Sequence, residues 1–541
     1  MVEVSKPDYL SLVNKGGSGF NVSELVTAMV AAEIEPKRGL QQSKLEKTEN
    51  AISGLGYLNS QVATTQKNFS TIASDNFFNV TSSNSESVSI EASDETKLVP
   101  DKKVISDITI AKKMVFELGN FANLTDTFTA DVEFDRGTWS DGVFAASADN
   151  VTQSVSFAGE TLPEIVAKLN EVSGIKAQII DTTGDGSSYS LILTGVQTGQ
   201  ANGFNLTETT ATARWSSDDL DNSITQYATN AEFKLDGVEI SRDSNTVVDI
   251  IEGAEIVLNS DIAGDVLVDV TRSEEAIRQT LNDVIFSLNE FKTEMDRLTY
   301  IDIDGGENGP LAMETSATIL ESKFKKLSIE PLTGYGSNAI YLSQLGIKTN
   351  SSGEYYLDEV VFSKTLENSP SSFMALKDAN LSSSSETAIV SKSQFTNIPS
   401  GTYTVSQTDG AWTFGETELT QIDLDDGGSQ FTSTTYPGLV VKTSERIPDS
   451  FEVYVGKSFS QKIIDLMDNA LDLNSSLKRA EETYSSLTED IEERLSKLEE
   501  REKLISSRYT EQFGSMEQSM SQFNSTKSLL ENFVESWKKQ K

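Results

Sequence analysis

The residues in this chain that could do chemistry are carboxylates. Asp302, Asp304, Gly305, Gly306, Glu307 and Asn308 gather oxygen ligands of the kind that a hard cation such as calcium prefers. The spacing departs from a calcium loop in detail, because Gly306 stands where a ligand is expected and no glutamate closes the loop at the right distance. Asp423, Asp425 and Asp426 offer, in principle, the carboxylate pair of a glycosidase. A chain of 541 residues with 83 acidic and 44 basic side chains must, however, place acidic turns over much of its surface. Solvated loops account for both clusters, so no catalytic, cofactor-binding or metal-ligating residue is assigned.

The chain has no cysteine and no histidine. Thiolate nucleophiles, disulfides, Cys/His zinc sites and the usual general base near neutral pH are therefore excluded. Gly17-Ser18-Gly19 lacks the preceding strand and the lysine of a phosphate-binding loop, and reads as a flexible stretch. A formal charge of -39 repels phosphate backbones and anionic lipid, which argues against nucleic-acid binding. No run reaches the roughly 18 apolar residues of a membrane span, so no membrane insertion is expected. The apolar stretch from Val22 to Ile34 carries Glu24 and Glu33 and has no basic segment immediately before it. It does not read as a secretory signal, and export, if it occurs, uses another route.

Function must then rest on surfaces, and two helical patterns are best placed to carry them. Leu473, Leu477, Ala480, Tyr484, Leu487, Ile491, Leu495, Leu498 and Ile505 recur at steps of four, three or seven. Glu493 to Lys497 and Glu499 to Lys503 flank the stripe at helix-stabilising spacing, as in a coiled coil. The two steps of four at Ile505, Tyr509 and Phe513 form a stutter, which predicts local unwinding beside Gly514. The stripe resumes through Met516, Met520, Phe523, Leu530, Val534 and Trp537. A self-contained helical hairpin would use the same stripe as its own core. At the other end Asn21 can cap a helix with Glu24 in the capping-box position, and Val22, Leu25, Val26, Met29 and Val30 share one face. Pro36 is expected to break that helix, with a second pattern following through Leu45, Ile52, Leu55, Val62, Phe69 and Ile72.

Between these ends the texture is strand-like. Ser87 to Glu91 and Val104 to Ile110 alternate, as do Ile175 to Ile180 and Tyr189 to Thr194 after a capped helix at Thr161, Pro163 and Glu164. Asp236-Gly237 and Asp409-Gly410 mark two hairpins. A helix returns at Ser273, with Ile277, Leu281, Val284, Leu288, Phe291, Met295 and Leu298 in regular 4-3 alternation. A second strand-like block opens at Ser382 to Ser385 and closes near Pro448, where the long helix should begin. The expected fold is α+β, elongated and multidomain, with an antiparallel stem of terminal helices and nested β-rich inserts. Residues 1–42 and 505–541 would form a terminal helical zone that orders only on packing, since short amphipathic helices are marginal alone. Residues 43–75, 270–378 and 451–504 would form a helical leg, 76–105 and 226–269 an inner β-rich domain, 106–225 an outer one, and 379–450 an additional insertion.

Several stretches, in order, resemble the bacterial flagellar filament capping proteins, the hook-associated protein 2 family. They are Gly17 to Val26, Thr161 to Asn170 with Gly174 to Ala177 and Leu191 to Gly199, Asn230 to Gly237 with Arg242 to Asn245, Gly309-Pro310-Leu311, Leu345-Gly346-Ile347, Leu357-Asp358, and Tyr509 to Thr526 with Leu529-Leu530. The likeness spans nearly the whole chain except about 380 to 450, which shorter members lack.

The resemblance implies a non-enzymatic, secreted protein at the distal tip of the flagellar filament that promotes flagellin polymerisation and prevents loss of exported monomers. It implies a ring homo-oligomer, most commonly a pentamer, and contact with flagellin. It also implies dealings with the type III export apparatus and its chaperone and with hook-filament junction proteins, and no cofactor. The expected assembly contacts are Leu25, Val26, Met29, Val30, Phe513, Met516, Met520, Phe523, Leu530, Val534 and Trp537. Two alternatives stay open: a surface adhesin binding host glycans or mucus through its β-rich domains, and a carboxylate-based glycosidase.

Overall fold

The computed structural model describes residues 19, 21–210, 223–304, 306–408, 410–424, 427–444 and 449–539. Gly16, Gly17, Ser18, Gly305, Asp409, Asp425, Asp426 and Pro448 lie outside the described residues. The fold is α+β, and the chain divides into a helix-bearing unit, Met1–Ser74 with Leu281–Lys541, and a β-rich unit, Asp75–Thr280, nested in it in sequence.

Helix α1 runs unbroken over Val22–Ile72, and the Asn21 side chain caps it by accepting from the Glu24 N–H at 3.3 Å. Pro36 lies inside this helix and does not end it. Its ring faces solvent. A mid-helix proline costs about 3 kcal/mol through the lost hydrogen bond and the clash with the carbonyl one turn back. Here Val30 and Ile34 before it and Ala51, Leu55 and Leu58 after it are buried on the opposite side, and that packing holds the helix through the defect.

The β-rich unit contains a five-stranded antiparallel sheet ordered Phe78–Ser82, Val266–Arg272, Asp101–Thr109, Ala231–Leu235 and Val238–Arg242. The first two strands in the sheet order thus come from opposite ends of the unit in sequence, which closes the excursion of the chain. The Asp236-Gly237 hairpin forms as its sequence predicts, with φ of 50° and 87° at the two turn residues, the left-handed pair that a two-residue turn requires. Two four-stranded sheets, one built around Thr127–Ser140 and the other around Val115–Phe121 and Tyr189–Gly195, enclose a core of Phe116, Phe134, Phe157, Leu191 and Phe204. Helix α2, Leu162–Leu169, seals that core with Leu162, Ile165 and Leu169.

Helix α3, Glu274–Thr299, carries the chain out of the β-rich unit. Its predicted repeat from Ile277 to Leu298 is buried throughout, and Phe291 meets Phe324 of α4 (Thr315–Ile329) with ring centroids 4.4 Å apart. After α5 (Glu359–Asn368) the chain enters an eight-stranded antiparallel sheet over a core that includes Val405, Phe414, Phe431, Val441 and Val453. Its two outermost strands, Asn380–Ser383 and Ala388–Lys392, are consecutive in sequence and lie against each other, so the sheet curls toward closure.

The long helix begins later than expected. Ser450–Gly456 is a strand hydrogen-bonded between Asn380–Ser383 and Gly401–Thr408, so the segment from 451 opens in the insertion's sheet. Phe451, Val453 and Val455 are buried in alternation, a period of two that rules out a helix there. Helix α6, Phe459–Leu471, then stops at Asp472, and α7 covers Ser476–Lys539.

Candidate assembly interface

Helices α1 and α7 pair antiparallel. Val22, Val26, Val30 and Ile34 of α1 close on Ile505, with Tyr509 and Phe513 at the margin. The helical partner that α1 needs for order is thus supplied within the chain. Charged groups line the seam. Arg38 binds Glu35 at 2.7 Å and also Glu502, and the bond to Glu502 is the main cause holding its guanidinium pKa above the ordinary value. Glu33 lies 3.8 Å and 3.9 Å from Arg501 and Arg508, and accepts from the Tyr509 hydroxyl at 3.3 Å. Exposed ion pairs contribute little to stability, but cross-helix pairs of this kind select one register over its neighbours. Sequence reading missed this set; its signal is the acid-base alternation from Glu499 to Lys503 opposite Glu33, Glu35 and Arg38.

The predicted contact residues separate into two groups. Val26 and Val30 are 5 % exposed and belong to the chain's own core, with Phe513 half-buried beside them. Leu25, Met29, Met516 and Met520 are 36–45 % exposed along the same pair of helices. Phe523, Leu530, Val534 and Trp537 stand farther out, Trp537 at 70 %. Every residue from Gln522 to Lys539 is exposed. Leu529 and Phe533, which the single stripe omitted, are equally bare. The doublets Leu529-Leu530 and Phe533-Val534 are the sequence signal, since adjacent apolar pairs one turn apart widen the face beyond what one partner helix covers.

Farther back along the stripe, Leu473 falls in the break between α6 and α7 and is exposed, so the packed seam starts at Leu477 and continues through Ile491 and Ile505. The stutter leaves α7 continuous through Gly514.

The carboxylates shape turns. The Asp304 N–H donates to Asp302 Oδ1 at 2.8 Å, and the Asp302 N–H donates to Asn308 Oδ1 at 2.8 Å. Asp423 Oδ1 accepts from Gln421 Nε2 at 2.8 Å and from Ser429 Oγ at 3.1 Å. Among the described residues no group of three or more acidic side chains is gathered as metal ligands, and no helix is long and apolar enough to cross a membrane.

A multidomain α+β chain whose conspicuous unsatisfied surface is the bare end of a long helix belongs with proteins that act by assembling with others. The family is settled by sequence. This chain belongs to the flagellar hook-associated protein 2 family: residues 18–100 match the family's N-terminal model and residues 228–525 its C-terminal one. It is 24 % identical over 395 residues to the A-type flagellar hook-associated protein 2 of Pseudomonas aeruginosa, covering 67 % of this chain and 80 % of that one. It is 25 % identical over 382 residues to flagellar hook-associated protein 2 of Escherichia coli K12, covering 66 % and 78 %. Among solved structures it is similar to the D1-D2-D3 domains of the flagellar cap protein FliD from Escherichia coli, with 21 % identity, a TM-score of 0.48, and coverage of 60 % of this chain and 90 % of that one.

Proposed function

We propose that this chain is a non-enzymatic cap at the distal tip of the flagellar filament, where it promotes flagellin polymerisation and retains exported monomers. Family membership supports this reading, and one structural observation carries the mechanism: beyond the cluster that packs on α1, α7 presents Phe523, Leu530, Val534 and Trp537 to solvent. Large apolar side chains in such a row are costly to leave wet, so they are suited to helices supplied by another molecule. Leu25, Met29, Met516 and Met520 extend the same contact surface inward; methionine adapts to changing partners, as a cap meeting successive flagellin subunits requires. Val26, Val30 and Phe513 support it from beneath.

On this reading the chain is secreted and forms a ring of copies, a pentamer being the family's common form, with flagellin below it. The type III export apparatus with its chaperone and the hook-filament junction proteins are the partners met on the way. The terminal zone of 1–42 and 505–541 touches the filament. The family match does not favour the glycan-binding adhesin.

The test is complementation of a strain lacking its own cap. The intact chain should restore filaments and stop leakage of flagellin into the medium. A variant with Phe523, Leu530, Val534 and Trp537 changed to serine should be secreted and folded yet leave filaments absent. Normal filaments from that variant would remove the proposed role of this surface.

A further inference from the structure

The β-rich unit is strongly negative. Over Asp75–Thr280 there are 35 acidic and 13 basic residues, a formal charge of -22. A net charge of magnitude about 2–8 is enough to keep a small domain soluble. The few cations are also already engaged. Among the described residues, nine of these cations lie within 4.0 Å of a carboxylate of the same unit, among them Lys102 with Asp269 at 2.9 Å, Lys234 with Asp107 at 2.9 Å and Arg242 with Asp249 at 2.7 Å. Carboxylates such as Glu171, Glu239, Glu252 and Asp265 are exposed, and Lys234, which acts on Glu239, is already paired with Asp107.

Two such surfaces brought together therefore meet acid against acid, with few unengaged lysines or arginines to form ion pairs across the gap. Like-charge surfaces repel over about a Debye length, roughly 10 Å at 0.1 M salt and 3 Å at 1 M. A net charge this large favours dispersed monomers until counterions screen it.

We propose that association between copies of this chain is gated by ionic strength: salt strengthens the contact between β-rich units, the reverse of an interface built on ion pairs. The inference rests on the self-association assigned under the proposed function. The apolar parts of the contact would act only once the repulsion is screened, so the protein would stay dispersed in dilute medium and assemble in concentrated medium.

Sedimentation of the full chain in 20 mM and 500 mM sodium chloride tests this. The expected result is an association constant at least tenfold higher in the concentrated salt. The quadruple variant Glu171→Gln, Glu239→Gln, Glu252→Gln and Asp265→Asn should associate at lower salt than the natural chain while melting at the same temperature. Association that weakens with salt, or is indifferent to it in both proteins, overturns the gating. If neither protein associates at any salt, but both still cap filaments singly, the self-association itself is wrong and the gating falls with it.

Discussion

Gly54 of α1 lies directly against Pro310: a Cβ at Gly54 would stand 3.0 Å from the proline Cβ and 3.2 Å from Leu311 Cδ2. The loop between α3 and α4 closes on the helix here, with the Leu311 N–H donating to the Leu298 carbonyl at 2.9 Å and Leu311 wholly buried. Glycine in a helix interior costs about 1 kcal/mol relative to alanine, so its presence needs this contact to explain it.

Gly56 of the same helix has nothing within 4 Å of its would-be Cβ. Gly56→Ala should therefore stabilise the helix-bearing unit by about 0.5–1 kcal/mol. Gly54→Leu should destabilise it by roughly 1–3 kcal/mol, because the proline ring cannot move aside as a flexible side chain would. Denaturant melts followed by far-ultraviolet circular dichroism would give both values, and equal effects at the two positions would refute the close approach.

The Asp236-Gly237 turn makes a separate prediction for the β-rich unit. Nothing blocks a side chain at Gly237, yet its φ is 87°. Gly237→Ala should cost about 1–2 kcal/mol from backbone strain alone. Asp236→Ala should cost about 0.5–1.5 kcal/mol by removing the bond that the Val104 N–H donates to Asp236 Oδ1 at 2.9 Å. Amide exchange at Val104 should quicken in both variants and stay unchanged in Gly264→Ala, a position with open space and no positive φ.

The two groups of terminal residues should part company on mutation. Val30→Asp puts a carboxylate into the α1-α7 seam and should cost roughly 3 kcal/mol or more. Leu530→Asp replaces a side chain that is 59 % exposed and should change the melting of the chain by less than about 0.5 kcal/mol. A large loss of stability from Leu530→Asp would mean that the end of α7 is buried by the chain itself.

Much of this fold could be read from the sequence, because its signals were local. The α3 repeat keeps one face buried from Ile277 to Leu298, and a single buried face is what periodicity reports best. Asp236-Gly237 and the Thr161–Glu164 box also formed as written, since each needs only its own few residues. Pro36 misled because a local cost was outweighed by packing on α7, which no window around residue 36 contains. The strand Ser450–Gly456 was lost to the helix beyond it because its partners are 44 to 76 residues upstream. At the candidate interface the stripe was visible, but pattern alone does not tell a stripe that packs at home from one left bare. Val30 and Val534 look alike in pattern, yet the first is 5 % exposed and the second 48 %.

Glu164 makes a pH prediction. Its carboxylate accepts from the Thr161 N–H at 2.8 Å and the Thr161 hydroxyl at 2.7 Å. These bonds hold its pKa below the ordinary value, backbone bond first, against desolvation and neighbouring Glu160, with Lys168 adding a small pull downward. A depressed carboxylate stabilises the fold above its unfolded pKa, about 4.3, and loses that contribution as pH falls through the folded value. The stability gap between the natural chain and Glu164→Gln should be full at pH 6–7 and should close below about pH 4. A gap that stayed constant down to pH 3 would show that the cap acts through shape and not charge.

The insertion should be rigidly held, because its neck is clamped. Asn380 Nδ2 donates to the Gly334 carbonyl at 2.7 Å, and the Tyr335 hydroxyl donates to the Asp378 carbonyl at 2.5 Å. Burial pushes the Tyr335 pKa well above its ordinary value, so the phenol stays protonated as a donor at any working pH. Gly334 has φ 83°, and a Cβ there would overlap the Val455 carbonyl on the strand leaving the insertion. Gly334→Ala therefore strains the backbone and forces the neck apart, whereas Tyr335→Phe keeps the packing and loses one hydrogen bond of about 1 kcal/mol. Limited proteolysis should cut Gly334→Ala near 378–380 and 456–458 at least tenfold faster than the natural chain, and Tyr335→Phe only severalfold faster. Helix content should be unchanged in both. If both variants are cut at the natural rate, the clamp does not hold the insertion.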